Sequence, residues 1–335
     1  MPLPLGPRTV CLALAWLAAG PGLGCAGQAP AIFVTTADGP EGSAMAAALL
    51  ASPRKTRVIA GVSALGSPAA RKLADAGAEL RVVARSPSPE VFAGASWVFV
   101  LAPLTADRLE RGRELIDAAR RGGVKSAALL SVIGAGPDAP SSLGAYYSLE
   151  LHMQSVWPAD SYVVLRTFFY QQNLLLWASD ARRTGQLRLP LELGCFAPLY
   201  EADVADALAE IMAREQPPGG RVLNLTGPQE FSGPALAEAA SEAIGPPGLT
   251  FESINRTTAA KILEGAGGLD PSEASLVLDL LLWQTSPRFC PRWPSPDFHL
   301  VTGRQPTSAS AFFEQNAAAF HRPPADAGKL RILVE

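Results

Sequence analysis

The sequence predicts an α/β protein: a doubly wound parallel sheet with a small α/β lobe added toward the C-terminus. Three observations carry this. Short apolar runs alternate with helical segments through roughly the first two hundred residues. Those runs lack the polar alternation of a half-exposed strand, as expected of strands covered by helices on both faces. The strand–helix repeat also has the length of right-handed crossovers between parallel strands.

Strands are expected at Ala31–Thr35, Arg57–Val62, Glu79–Ala84, Trp97–Ala102, Ser126–Val132 and Tyr162–Arg166, and helices at Gly42–Ala51, Pro68–Ala76, Ala106–Arg121 and Ala145–Trp157. The C-terminal third changes character. A helix is expected over 200–215 with Asp203 as N-cap, then a strand over 221–227 and a helix capped by Ser232. An extended run at 249–255, a helix at Ser272–Gln284 and a last helix around Ser308–Phe320 complete the lobe. The chain thus divides into a leader (1–27), one domain (31–320) with a core to about 195 and a lobe from about 196, and a tail (321–335). A lobe over the carboxyl edge of such a sheet shapes the substrate pocket.

Composition limits the function. At 335 residues and 48% hydrophobic content the chain has ample core, which excludes wholesale disorder. Net charge is −3 and no basic block occurs, so nucleic acid is not expected as a partner. Arg8 is the only charged residue before Asp38, and "TVCLALAWLAAG" (9–20) is followed by small residues suited to cleavage after Gly27. The apolar run is short of the roughly 20 residues of a membrane-spanning helix, so no transmembrane anchor is expected. A cleaved leader implies the secretory pathway or an organelle; an uncleaved extension implies the cytoplasm. Cys11, Cys25, Cys195 and Cys290 form no CxxC pair, and with three histidines no metal site is expected.

The chemistry begins at "AIFVTTADGPEGSAMAAALLAS" (31–52), which reads as strand, glycine turn and helix. Gly39 and Gly42, with Pro40 and Glu41 between them, have the spacing of a turn that brings backbone N–H groups to a pyrophosphate. Thr36 stands where that turn carries its first glycine, and brings a Cβ where none is wanted. The second strand ends in Gly61, Ser63 and Ser67, with neither the acid of an NAD site nor the arginine of an NADP site.

The order of motifs resembles the NmrA-like family, atypical short-chain dehydrogenases/reductases. "IFVTTADGPEGS" resembles the family's TGATGxxG opening, with Thr36 for its first glycine and Asp38 for its second threonine. "GASWVFVLAP" (94–103), "ELIDAARRGGVKSAALLSVIGAG" (114–136), "YVVLRTFFYQQNLL" (162–175), "PLYEADVADALAEIM" (198–212) and "VTGRQPTSASAFFEQNAAAF" (301–320) continue the likeness in order. The resemblance implies a Rossmann fold and NAD or NADP as cofactor. By position it implies a cofactor site at Thr36, Gly39, Pro40, Glu41, Gly42, Gly61, Ala102, Pro103, Ser131, Thr167 and Asn173.

The departures bear on catalysis. Reductases of the superfamily use Ser, Tyr and Lys in a YxxxK spacing, the lysine lowering the tyrosine pKa. Ser131 is in place, but Tyr146 is followed four residues on by Glu150 and Tyr147 by Leu151; the family's Ser-Lys pair reads Ser148-Leu149. At the end of the third strand the family's acid is gone and Arg85 lies in that area. Tyr146 and Tyr147 are accordingly read as helix-face residues, and no catalytic residue is assigned. Phe168, Phe169 and Tyr170 are read as packing, and His152, His299 and His321 as ordinary surface or packing residues. The expected function is a degenerate NmrA-like protein with weakened or lost dinucleotide binding, acting as a redox-sensing regulator through a protein partner. The alternatives are an NAD(P)H-dependent reductase of quinone-like small molecules and a ligand-free interaction domain.

Overall fold

The computed structural model describes residues 30–321 apart from 192–195, 215–218, 267, 268, 270, 287 and 289–293, with residue 272 described by its backbone alone. The leader, all four cysteines and the tail beyond residue 321 lie outside the described residues.

Seven strands form one all-parallel sheet: β1 (Ala31–Val34), β2 (Arg57–Val62), β3 (Glu79–Val82), β4 (Trp97–Val100), β5 (Ser126–Val132), β6 (Tyr162–Thr167) and, after β7 (Gln186–Leu189), β8 (Arg221–Leu225). Their order is β3-β2-β1-β4-β5-β6-β8. The chain reverses its winding between β1 and β4, which opens a crevice beyond their carboxyl ends. The expected doubly wound sheet is therefore present.

Alternation along each strand divides the core between two faces. Ile32 and Val34 pack with Met45 and Leu49 of helix α1 (Pro40–Ala51) and Leu73 of α2 (Pro68–Asp75). Phe33 points the other way, to Leu115 and Ile116 of α3 (Arg108–Arg121) and Leu149 and Met153 of α4 (Ser141–Val156). Both faces being covered is why these strands read as unbroken apolar runs. Gly112 lets α3 meet α4 closely, since a Cβ there would lie 2.6 Å from Leu149 Cδ2. Helix starts follow local chemistry: Ser67 Oγ accepts from the Ala70 N–H and α2 opens with Pro68.

The second half contains α5 (Ala178–Thr184), α6 (Glu201–Met212), α7 (Gly233–Ile244), β9 (Thr250–Ser253), α8 (Arg256–Ala266), α9 (Pro271–Gln284), α10 (Asp297–Thr302), α11 (Ala309–Gln315) and α12 (Ala317–Phe320). β9 pairs in parallel with β7 as a separate two-stranded sheet. Ser232 caps α7 as expected, accepting from the Ala235 N–H. Three features differ from expectation. β8 is an edge strand of the main sheet, because Arg221–Leu225 satisfies the otherwise open edge of β6 from Val163 to Thr167. Asp203 is not an N-cap; it is buried within α6 and accepts from the Thr307 N–H at 2.7 Å, tying α6 to the segment before α11. The last helix is broken at Asn316, whose side chain donates to the Phe312 carbonyl.

α9 is the element that shapes the site. It crosses the carboxyl edge of the sheet and is fastened there by Gln284 Nε2, which donates to the carbonyls of Ile133 and Thr167. Trp283 Nε1 donates to the Gly134 carbonyl, and Ser142 Oγ of α4 donates to Asp279. Among the described residues no helix is long and apolar enough to cross a membrane.

Candidate active site

β1 and β4 are locked together where the crevice opens. Thr35 Oγ1 donates to the Leu101 carbonyl and accepts from the Leu101 N–H, both at 2.8 Å. Thr36 then takes φ +47°, the left-handed conformation that a glycine would supply, and its Oγ1 donates to the same carbonyl at 3.0 Å. A β-branched residue rarely adopts this conformation. The turn thus holds a threonine in the backbone shape that a glycine would take without strain. The turn closes through the Ala37 N–H to the Gly61 carbonyl and the Gly39 N–H to the Thr36 carbonyl. Gly42 is required by the turn itself, since a Cβ would sit 2.2 Å from the Thr36 carbonyl oxygen. Gly61 leaves room for Phe33, whose ring would be 2.6 Å from a Cβ.

α1 begins at Pro40 with Gly39 as N-cap and no side-chain cap. Its first-turn N–H groups therefore have no acceptor inside the helix, and the positive end of the helix dipole is open to an anion. Here lies a cavity of about 470 Å³ lined by Thr36, Gly39, Pro40, Glu41, Gly42, Gly61, Ala102 and Pro103. Eight of the positions expected from sequence are therefore brought together. Its far end is polar. Asp38 reaches across to the end of β2, where one carboxylate oxygen accepts from Ser63 N–H at 2.8 Å and Ser63 Oγ at 2.5 Å. Arg85 and Arg111 line the same end; Arg85 pairs with Asp107 at 2.6 Å and Arg111 with Glu114 at 2.7 Å.

A second cavity, about 280 Å³ and mostly apolar, adjoins the first and shares Pro40, Glu41, Leu104 and Glu273 with it. Thr167, Phe168, Phe169 and Tyr170 come from the end of β6, Asn173 from the segment after it and Tyr146 from α4; Leu276, Val277 and Leu280 of α9 cover it. Phe168 and Phe169 are buried and also line this space, so packing and pocket coincide. Tyr146 is a cavity residue rather than merely a helix-face one. Burial pushes its hydroxyl up to about 12, outweighing the Arg108 guanidinium, which lies 4.9 Å from the ring centroid.

Ser131 is the expected site residue that the fold does not bring to either cavity. It is fully buried, and its hydroxyl donates to Glu150 at 2.5 Å. Arg166 completes the cluster with two contacts to Glu150, at 2.8 and 2.5 Å. Ser131, Glu150 and Arg166 form a structural ion-pair network between β5, α4 and β6. Of the histidines, His152 pairs with Asp117 at 2.8 Å.

Two functional positions were missed from sequence. Asp38 brings an acid over the end of β2 from the neighbouring turn, although β2 itself ends without one. Glu201, at the start of α6, lines the apolar cavity beside Glu41. Burial raises the Glu41 carboxyl, and burial followed by the Glu41 charge pushes Glu201 up to about 8. A carboxyl titrating in that range is a distinctive group in an apolar pocket.

No protein-family model matches the chain. Over 234 residues it is 29% identical to the NAD(P)H azoreductase of Xenophilus azovorans, a stretch covering 69% of this chain and 79% of that protein. Among solved structures, the NADPH-dependent quinone oxidoreductase of Escherichia coli complexed with NADPH aligns with a TM-score of 0.72 at 20% identity, over 85% of this chain and 99% of that one. The Citrobacter sp. triphenylmethane reductase complexed with NADP(H) gives 0.69 at 20% identity, over 87% and 100%. A nucleoside-diphosphate-sugar epimerase from Staphylococcus aureus gives 0.66 at 18% identity, over 85% and 99%. At these identities the structural likeness establishes the fold: this chain shares the Rossmann-type architecture of reductases and epimerases.

Proposed function

We propose that this chain is an NmrA-like, NAD(P)H-dependent oxidoreductase whose acceptors are electron-poor conjugated molecules of the quinone or azo-dye kind. The observation that carries the reading is the continuity of the two cavities: a polar crevice at the start of α1 opens directly into an apolar pocket at the end of β6. The 29% identity to an azoreductase supports it.

The residues fit a dinucleotide. The open first turn of α1 suits the pyrophosphate, Asp38 and Ser63 suit a ribose, and Arg85 and Arg111 suit an added phosphate. NAD and NADP are accordingly both accommodated. When bound, the nicotinamide supplies a hydride. The chain's part would be to hold the dinucleotide along the crevice, to exclude water with α9, and to hold a flat acceptor between the β6 aromatics and α9. Tyr146, pushed up to about 12 and lacking a lysine, is poorly matched to protonate a ketone oxygen near neutral pH. Electron-poor acceptors need less help. The regulatory reading, with its weakened or lost dinucleotide site and protein partner, gives way to this alternative because the relatives are reductases and the pocket is formed.

The test is purified full-length protein, first titrated with NADH and NADPH by thermal shift, then assayed for their oxidation by quinone, azo and ketone panels. Binding should raise the unfolding temperature, and turnover should occur with quinones or azo compounds and not with ketones. Nucleotide binding without turnover of any acceptor would restore the regulatory reading. No binding at all would remove both.

A further inference from the structure

The mechanism above leaves two acids without a role. Glu41 is the second residue of α1 and Glu201 the first of α6. α1 and α6 pack side by side on one face of the sheet, which sets both N-termini at the mouth of the apolar cavity, with both side chains in its wall. Neither residue caps its helix, and among the described residues neither forms an ion pair. Tyr170 lines the same cavity; its buried hydroxyl lies against the Glu41 carboxyl and Thr167. The Tyr170 hydroxyl and the Glu41 carboxyl thus form a polar pair in the wall of an otherwise apolar space, with Glu201 in the same wall.

Two carboxyls in one apolar wall cannot both ionise cheaply, so they retain a proton that either would lose alone in water. The groups facing them agree. Tyr146 and Tyr170 remain neutral, both raised by burial. Arg108, the cation acting on Glu41, lies over the Tyr146 ring and donates to the carbonyls of Pro103 and Ser142. Glu273 of α9 adds a further negative group at the junction of the cavities.

We propose that Glu41 and Glu201 together hold a proton at the mouth of the apolar cavity and deliver it to the acceptor during reduction. The pair thereby does the acid's work that a tyrosine–lysine pair does in other members of the superfamily. The inference rests on the reductase reading. In the step, the acceptor gains a hydride at one atom from the C4–H bond of the reduced nicotinamide, which is oxidised to the pyridinium. A second acceptor atom takes the proton from the carboxyl O–H as that bond breaks, giving a hydroquinone from a quinone or a hydrazine from an azo bond. Water returns a proton to the carboxylate.

The experiment compares full-length wild type with Glu201→Gln and Glu41→Gln in two measurements. The first uses unliganded protein and follows the unfolding midpoint against pH. A carboxyl whose folded pKa is raised stabilises fully below the unfolded value and loses that contribution as pH rises through the folded one. Wild type should therefore lose stability between its ordinary pKa of 4.5 and about 8, and Glu201→Gln should flatten that slope. The second measures NAD(P)H oxidation by a quinone and an azo compound across pH. Wild-type kcat should fall above about pH 8. Glu201→Gln should lose on the order of 10²-fold in kcat near neutral pH, with dinucleotide affinity retained. Turnover in Glu201→Gln with the wild-type pH profile overturns proton delivery and leaves the reductase reading standing. A wild-type protein that oxidises no NAD(P)H with any acceptor overturns that reading and delivery with it. A stability slope identical in both proteins overturns the held proton whatever the acceptors do.

Discussion

Thr36 offers a direct test of how the turn between β1 and α1 holds a threonine in the left-handed conformation. Its φ of +47° places a β-branched residue in the left-handed region. That conformation costs an L-residue roughly 1–2 kcal/mol, offset in part by the hydrogen bond from Thr36 Oγ1 to the Leu101 carbonyl, worth about 1 kcal/mol. Thr36→Ala removes the hydrogen bond and keeps most of the strain, so it should destabilise by about 1 kcal/mol. Thr36→Gly also loses the bond but relieves the strain, at about 0.5–1 kcal/mol for the freer unfolded chain. Glycine should therefore exceed alanine by roughly 0.5–1 kcal/mol, the reverse of their order at an ordinary position. Urea denaturation of the three proteins measures this, with equal m-values as the condition for comparison. An alanine variant as stable as the glycine variant would refute the claim that the fold imposes this conformation. Calorimetry with NADPH extends the test: Thr36→Gly clears a side chain from the crevice and should tighten binding, and unchanged or weaker affinity counts against Thr36 as an obstruction.

Arg85→Ala should weaken NADPH relative to NADH by roughly three- to tenfold, at most about 1.4 kcal/mol, because its guanidinium is 75% exposed and already paired with Asp107. Titrations of both nucleotides decide it, and an equal loss for the two would show that Arg85 does not reach the added phosphate. Glu150→Ala leaves Arg166 without its carboxylate in a site where Glu150 is only 8% exposed, and should cost about 3 kcal/mol in chemical denaturation. Its effect on nucleotide affinity should be slight, since Ser131 and Glu150 line neither cavity; a large loss of affinity would return Ser131 to the site.

The sheet was legible from sequence because its cause is local. A strand buried on both faces must be apolar at every position, and Arg57–Val62 and Ser126–Val132 have their expected bounds. The glycine turn was legible for the same reason: its shape is set by contacts such as Gly42 against the Thr36 carbonyl, within six residues of chain. Its conformation at Thr36 was not, since threonine does not announce a positive φ. Parts joined by long-range contacts were decided by tertiary structure alone. β8 reads like any apolar strand, and only the open edge of β6 assigns it to the main sheet. Glu150 and Arg166 are 16 residues apart and become partners only when α4 packs over β6. Asp38 serves the end of β2 because the turn carries it 25 residues away in sequence and 2.8 Å in space from Ser63. Glu41 and Glu201 each read as an ordinary first-turn acid, favoured by the helix dipole. Burial beside each other in one apolar wall is what changes their chemistry, and burial is a property of the fold.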